Sequence, residues 1–194
     1  MTAILRQGGR SAIATQARVA AVLEGDGVIV TTNGGISTVS HAGPCSTAGI
    51  DAPVSLAVTG PDGLSLLCGG EGAAGSVDKT VFVSDDLGVH WSVAGSPARG
   101  GDPEEMSAGS ASQLVVAAAS GASMLYYSAD GGAQWTTAYD EGDGGLGFND
   151  LGFTTPADGV VVYGPAVSDS NDESRPGWLL LTSNGGESWQ PVSF

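Results

Sequence analysis

Asp51, Asp102 and Asp150 are the side chains best placed for acid–base chemistry. Each stands just before, or at, the first strand-like run of a repeat unit. Two carboxylates facing one space can act on a glycosidic bond as acid and as base or nucleophile. An acid at a strand entrance is equally an ordinary turn residue. Asp140 and Asp143 lie in the run Asp-Glu-Gly-Asp-Gly-Gly-Leu-Gly at 140–147. They offer hard oxygen ligands to Ca²⁺ but match no ordered calcium pattern, so no metal is expected. Cys45 and Cys68 are the only cysteines, and both stand beside turn residues. They admit one disulfide or two free thiols. Their spacing excludes a zinc site, with only His41 and His90 to assist. The chain has no Gly-x-Ser-x-Gly elbow and no lysine-bearing Gly-rich phosphate loop. No cofactor is expected.

These residues hang on a repeated turn. Ser84-x-Asp86-x-Gly88-x-x-Trp91 and Ser128-x-Asp130-x-Gly132-x-x-Trp135 are full copies of one pattern. Thr182-x-Asn184-x-Gly186-x-x-Trp189 is a conservative variant, and Thr31-x-Asn33-x-Gly35-x-x-Thr38 is a decayed one. The starts lie 53, 44 and 54 residues apart. One turn signature per unit of this size predicts a β-propeller, with one blade per unit. Each element of the pattern has a structural role. The oxygen at the third position accepts hydrogen bonds from loop N–H groups. The glycine at the fifth permits a positive φ, and the tryptophan at the eighth buries a large apolar face.

Short apolar runs separated by turn residues predict four antiparallel strands per unit. The second unit reads as 54–59, 64–68, 80–84 and 91–94, and the third as 105–110, 113–118, 124–128 and 135–139. The fourth reads as 149–154, 159–163, 178–182 and 189–194. In the first, 17–23, 27–32 and 36–40 are later strands, and 1–16 must supply the rest. A single domain over 1–194 follows, with blades at about 1–45, 46–97, 98–142 and 143–194. The connections 41–53, 140–147 and 166–177 are long, and binding tends to reside on such loops.

Net charge is −15, yet no acid precedes Glu24, while Arg6, Arg10 and Arg18 are half of the basic residues. The acidic remainder repels phosphate backbones, so nucleic-acid binding is not expected. No apolar run reaches the length of a membrane span, so membrane insertion is not expected. The three early arginines also interrupt any signal-peptide apolar core.

The Ser-x-Asp-x-Gly-x-x-Trp pattern resembles the Asp-box, or BNR repeat, of sialidases, xyloglucanases, sortilin-type receptors and photosystem II assembly factors. The resemblance covers residues of about 27 to 194. It implies a propeller whose boxes lie at the outer rim and whose ligands bind at the central face. It also implies an extracellular or cell-envelope location. A sialidase needs an arginine triad to clamp a carboxylate. Beyond residue 18 this chain offers only Arg99 and Arg175. A xyloglucanase-like hydrolase would use acids such as Asp51, Asp102 and Asp150, with exposed aromatics as a sugar platform. Trp91, Trp135 and Trp189 are committed to the boxes, which leaves Trp178, Tyr126, Tyr127, Tyr139 and Tyr163. The expected function is therefore a non-enzymatic module binding a protein or glycan partner through central-face loops. The alternative is a glycoside hydrolase, or a fragment of one. Four blades also leave a closed ring or an open arc, the latter able to self-associate through unpaired edges.

Overall fold

The computed structural model describes residues 13–16, 18–143, 145–164 and 177–192. The expected residues 1–12, loop residues 165–176 with Arg175, and the chain end at 193–194 lie outside the described residues.

Among the described residues, sixteen strands form four sheets. The first blade holds β1 (Ile13–Gln16), β2 (Val19–Glu24), β3 (Gly27–Thr31) and β4 (Val39–Ala42). The second holds β5 (Ala52–Val58), β6 (Leu64–Ala73), β7 (Ser76–Ser84) and β8 (Ser92–Gly95). The third holds β9 (Asp102–Ala108), β10 (Leu114–Ser120), β11 (Ala122–Ser128) and β12 (Thr136–Asp143). The fourth holds β13 (Phe148–Phe153), β14 (Gly159–Tyr163), β15 (Trp178–Thr182) and β16 (Gln190–Val192). Within each sheet the strands lie in sequence order, and all pairings are antiparallel. The chain is an all-β propeller fold of four four-stranded blades.

The second strand of each inner blade explains how blades stack. Leu114–Ala118 of β10 and Leu64–Cys68 of β6 are apolar or small without alternation and buried on both sides. A strand is continuously apolar when both faces of its sheet are covered. Alternate residues enter different cores. Leu114, Val116, Ala118 and Tyr126 pack against Val54, Ala57, Leu67 and Val81 of the second blade. Val115, Ala117 and Leu125 pack against Phe148, Val161, Tyr163 and Leu180 of the fourth. Each blade thus has a leading face toward the preceding blade and a trailing face toward the next.

First strands make the closest neighbours between blades. β1 and β2 meet β5, β5 meets β9, and β9 meets β13. Among the described residues, no packing of similar extent joins β13–β16 back to β1–β4. Among the described residues, the four blades therefore form an open arc.

All four repeated turns fold identically at the third-to-fourth strand hairpins. The first-position hydroxyl accepts the fifth-position N–H: Ser84 from Gly88 (2.8 Å), Ser128 from Gly132 (2.8 Å), Thr182 from Gly186 (3.0 Å) and Thr31 from Gly35 (2.9 Å). The same hydroxyl donates to the third-position oxygen at 2.8–3.0 Å. That oxygen in turn accepts the seventh-position N–H. Thr31-x-Asn33 has lost the tryptophan and kept the network, because the network needs only oxygens and backbone. The left-handed conformation covers two residues, not one. Gly34 and Gly35, Gly131 and Gly132, and Gly185 and Gly186 have positive φ, as do Leu87 (58°) and Gly88 (92°).

Candidate functional site

In every blade the first and third strands begin at one end, where the second and fourth finish. The repeated turns occupy the opposite end. There, the backbone N–H of His90, and then its ring, hold the Asp86 carboxyl down to about 2, and the Gln134 N–H leads a lowering of Asp130. His90 is exposed and meets Asp86 through Nδ1 at 2.6 Å. Trp135 and Trp189 donate their indole N–H to Gly132 and Gly186 (2.7 and 3.1 Å). The Trp91 indole N–H is buried without a partner. These carboxylates and indoles are committed to turn structure.

The strand-entry end carries the open chemistry. A cleft of about 400 Å³ lies at the entry end of the second blade. Its walls include Ile50, Asp51, Glu71, Asp78, Lys79 and Arg99. Asp51 and Glu71 are exposed, and Arg99 Nε meets Asp78 at 2.8 Å. The Cys45–Cys68 disulfide ties the 43–50 loop to β6 beneath this wall. Both cysteines are buried.

Lys79, the chain's sole lysine, is the cleft's unexpected member. Its side chain is 1% exposed. The ammonium donates to the carbonyls of Val77 (3.0 Å), Ala98 (3.1 Å), Arg99 (2.8 Å) and Gly100 (2.9 Å). It also lies 5.7 Å from the Tyr126 ring centre, and the Tyr126 hydroxyl donates to Gly100 (2.9 Å). Burial pushes Lys79 down to about 8, while Asp102 and Asp78 pull it back up. A buried ammonium needs oxygen partners on every proton. Here three of those partners, Ala98, Arg99 and Gly100, lie on the backbone joining the second blade to the third and Val77 lies on β7, so Lys79 fixes one wall of the cleft. Sequence reasoning passed over it. The available signal was its uniqueness: it is the one lysine in the sequence, beside Asp78 in the strand-like run Val77 to Val83.

Farther along the arc, acids staple one blade to the next. Glu104 accepts the Phe148 N–H (2.8 Å), and Glu105 accepts the N–H groups of Asp150 (3.2 Å) and Leu151 (2.6 Å). The pairings Ser55–Leu67 and Glu105–Ala117 make Ser55 the counterpart of Glu105 one blade earlier. Ser55 also binds the next first strand, at the N–H and carbonyl of Met106 (3.0 and 3.3 Å). The shared position explains Glu105 as a structural staple. Glu104 differs from it. Burial pushes its carboxyl up to about 7, against the Phe148 hydrogen bond and with help from Glu105 and Asp102.

Asp51, Asp102 and Asp150 are all exposed and make no described contact with one another. Asp51 lines the cleft, and Asp102 opens β9 close enough to raise Lys79. Asp150 sits in a β-bulge with φ 55°. Asp140 accepts the Gly142 N–H (2.8 Å) in a local turn, and the Asp143 side chain lies outside the described residues. Among the described residues, no group of three or more His, Cys, Asp or Glu is arranged to hold a metal ion. Of the remaining aromatics, Tyr163 and Trp178 meet at a tilt with centres 4.8 Å apart, and Tyr126 is buried. Burial, and a hydrogen bond to Glu141, push the Tyr139 hydroxyl up to about 12.

No protein-family model matches this chain, and no curated protein matches it. Solved structures do. YCF48 from Cyanidioschyzon merolae aligns at 16% identity over 97% of this chain and 59% of its own, with a TM-score of 0.59. YCF48 bound to D1 peptide aligns at 14% identity over 98% of this chain and 70% of its own, with a TM-score of 0.52. An ancestral GH74 enzyme aligns at 18% identity over 90% of this chain and 24% of its own, with a TM-score of 0.55. At such identities the likeness is one of fold, and all three are β-propeller proteins. The chain spans 59% of one YCF48 structure and about a quarter of the GH74 enzyme.

Proposed function

We propose that this chain is an Asp-box propeller arc acting as a non-enzymatic binding module for a protein segment bearing lysine or arginine. The observation that carries this reading is the cleft at the strand-entry end, where exposed Asp51 and Glu71 flank the Asp78–Arg99 pair. Two carboxylates that are unpaired among the described residues, in a concave site on a chain of net charge −15, favour a cationic ligand. Lys79 and the disulfide hold two walls of that cleft rigid, which lowers the ordering cost of binding. One structural neighbour is known bound to a peptide, which supports a protein ligand. An extracellular or envelope setting suits the disulfide.

Titration with a lysine-rich peptide, followed by calorimetry at low and moderate salt, tests the reading. Binding should weaken in the Asp51→Asn, Glu71→Gln variant. It should persist in a charge-matched control at the opposite end, Asp62→Asn, Asp85→Asn. Equal loss in both variants would mean attraction to net charge alone, and the proposal would fail.

A hydrolase reading has one observation in its favour. Glu104, held near 7, has the protonation a general acid needs. Release of reducing sugar from xyloglucan, abolished by Glu104→Gln, would establish it over the binding module.

A further inference from the structure

The two ends of the arc carry the two halves of the blade–blade interface, and we propose that a second copy of this chain docks there head to tail. The pairings of β14 with β15 make Val160, Val162, Leu179 and Leu181 the counterparts of Val115, Ala117, Leu125 and Tyr127 in the third blade. In the third blade, Val115, Ala117 and Leu125 are fully buried by the fourth blade. In the fourth blade, the same trailing face is only half-buried, and Leu181 is 43% exposed. Among the described residues, no strand outside the fourth blade packs extensively on β14 or β15.

The other half lies on the first blade. Its trailing face, Ala21, Leu23, Val28 and Val30, is buried against the second blade. Its leading face presents Ala20, Val22 and Ile29, all half-buried. These occupy the positions of Leu114, Val116 and Tyr126, which the third blade packs onto the second. The two uncovered faces are therefore of the types that meet at each of the three internal interfaces.

Two polar features continue the same interface. Asn149 pairs with Val162 as Glu105 pairs with Ala117, so it holds the staple position of the last blade, where its Nδ2 donates to the Gly164 carbonyl of the same blade (3.1 Å). Ser55 and Glu105, at that position, bind the next blade's first strand. The turns joining first and second strands also stack between blades. A side chain at Gly109 would fall 2.7 Å from the Pro156 carbonyl. At the proposed joint this places the turn of exposed Asp158 beside the turn of exposed Arg18. Opposite charges there fix a head-to-tail register. Such a heterologous contact closes into a ring when the blade rotation permits, and otherwise extends.

Light scattering with sedimentation, over a wide concentration range, reads the association. The native chain should run as a dimer or larger assembly. Leu181→Asp, at a half-exposed position, and Ile29→Asp should each shift it to monomer, weakening association about tenfold or more by stranding a carboxylate in the joint. Unchanged tryptophan emission would confirm that both variants fold. Mixing the two variants should restore a heterodimer, since one intact joint remains between the Ile29→Asp fourth blade and the Leu181→Asp first blade. A native chain that stays monomeric, an assembly indifferent to both substitutions, or a mixture that fails to associate overturns the proposal.

Discussion

Replacing Glu104 by glutamine should stabilise this protein at pH 8 and leave it nearly unchanged at pH 5. Glu104 is partly buried on β9 between Glu105 and Asp102, and its carboxyl is raised from 4.5 to about 7. The folded chain therefore keeps a proton there that the unfolded chain has released. The stability linked to that proton is fully present below about 4.5. It is lost as pH rises through about 7, because the charged form must then be held in a poorly solvated place. The rise from 4.5 to about 7 is worth about 3 kcal/mol, at about 1.4 kcal/mol for each tenfold change in proton affinity. Solvent reaches part of the group, so screening reduces this to about 2 kcal/mol. Glutamine cannot ionise, and its amide oxygen can still accept the Phe148 N–H now bound at 2.8 Å. Urea unfolding at the two pH values, followed by tryptophan emission, measures the difference. A glutamine variant no more stable than the native chain at pH 8, or equally stabilised at both pH values, would refute the reasoning.

Three other outcomes follow from the same geometry. Lys79→Met should cost about 2–4 kcal/mol in urea unfolding, since it removes a charged donor from four carbonyls in a buried site. Ser128→Ala should cost about 1–2 kcal/mol by the same measurement, because the buried Gly132 N–H loses its acceptor. Replacing both Cys45 and Cys68 by serine should lower stability by about 3 kcal/mol, the entropy of closing a loop between residues 23 apart, and the loss should match that of the chemically reduced native chain.

The architecture was legible because it is periodic. One turn pattern, recurring four times, identified the blades, and apolar runs between turns located most strands. The first-strand starts shifted, from 54 to Ala52 and from 105 to Asp102, because those strands gain residues by pairing beyond the apolar run. Leu87 shows a different limit. Its positive φ is dictated by a turn conformation that the other copies fill with glycine, and Leu87 packs against the first core. The side chain offsets a strain that composition alone would have excluded.

The sequence by itself determined the fold class, the turn network and the acidity, because these depend on local residue types and on their sum. Tertiary structure decided what each charged residue does. Asp51, Asp102 and Asp150 are all exposed, while Glu104, Glu105 and Lys79 make the consequential contacts. Those contacts join residues of different blades or their linkers, such as Glu105 with Leu151 and Tyr126 with Gly100. Cys45 and Cys68 were one disulfide or two thiols until the 43–50 loop was placed against β6. The open arc was also invisible in the repeats, since periodicity records how one blade follows another and not whether the last returns to the first. Partner choice between distant groups is a matter of through-space distance and burial, and a linear pattern encodes neither.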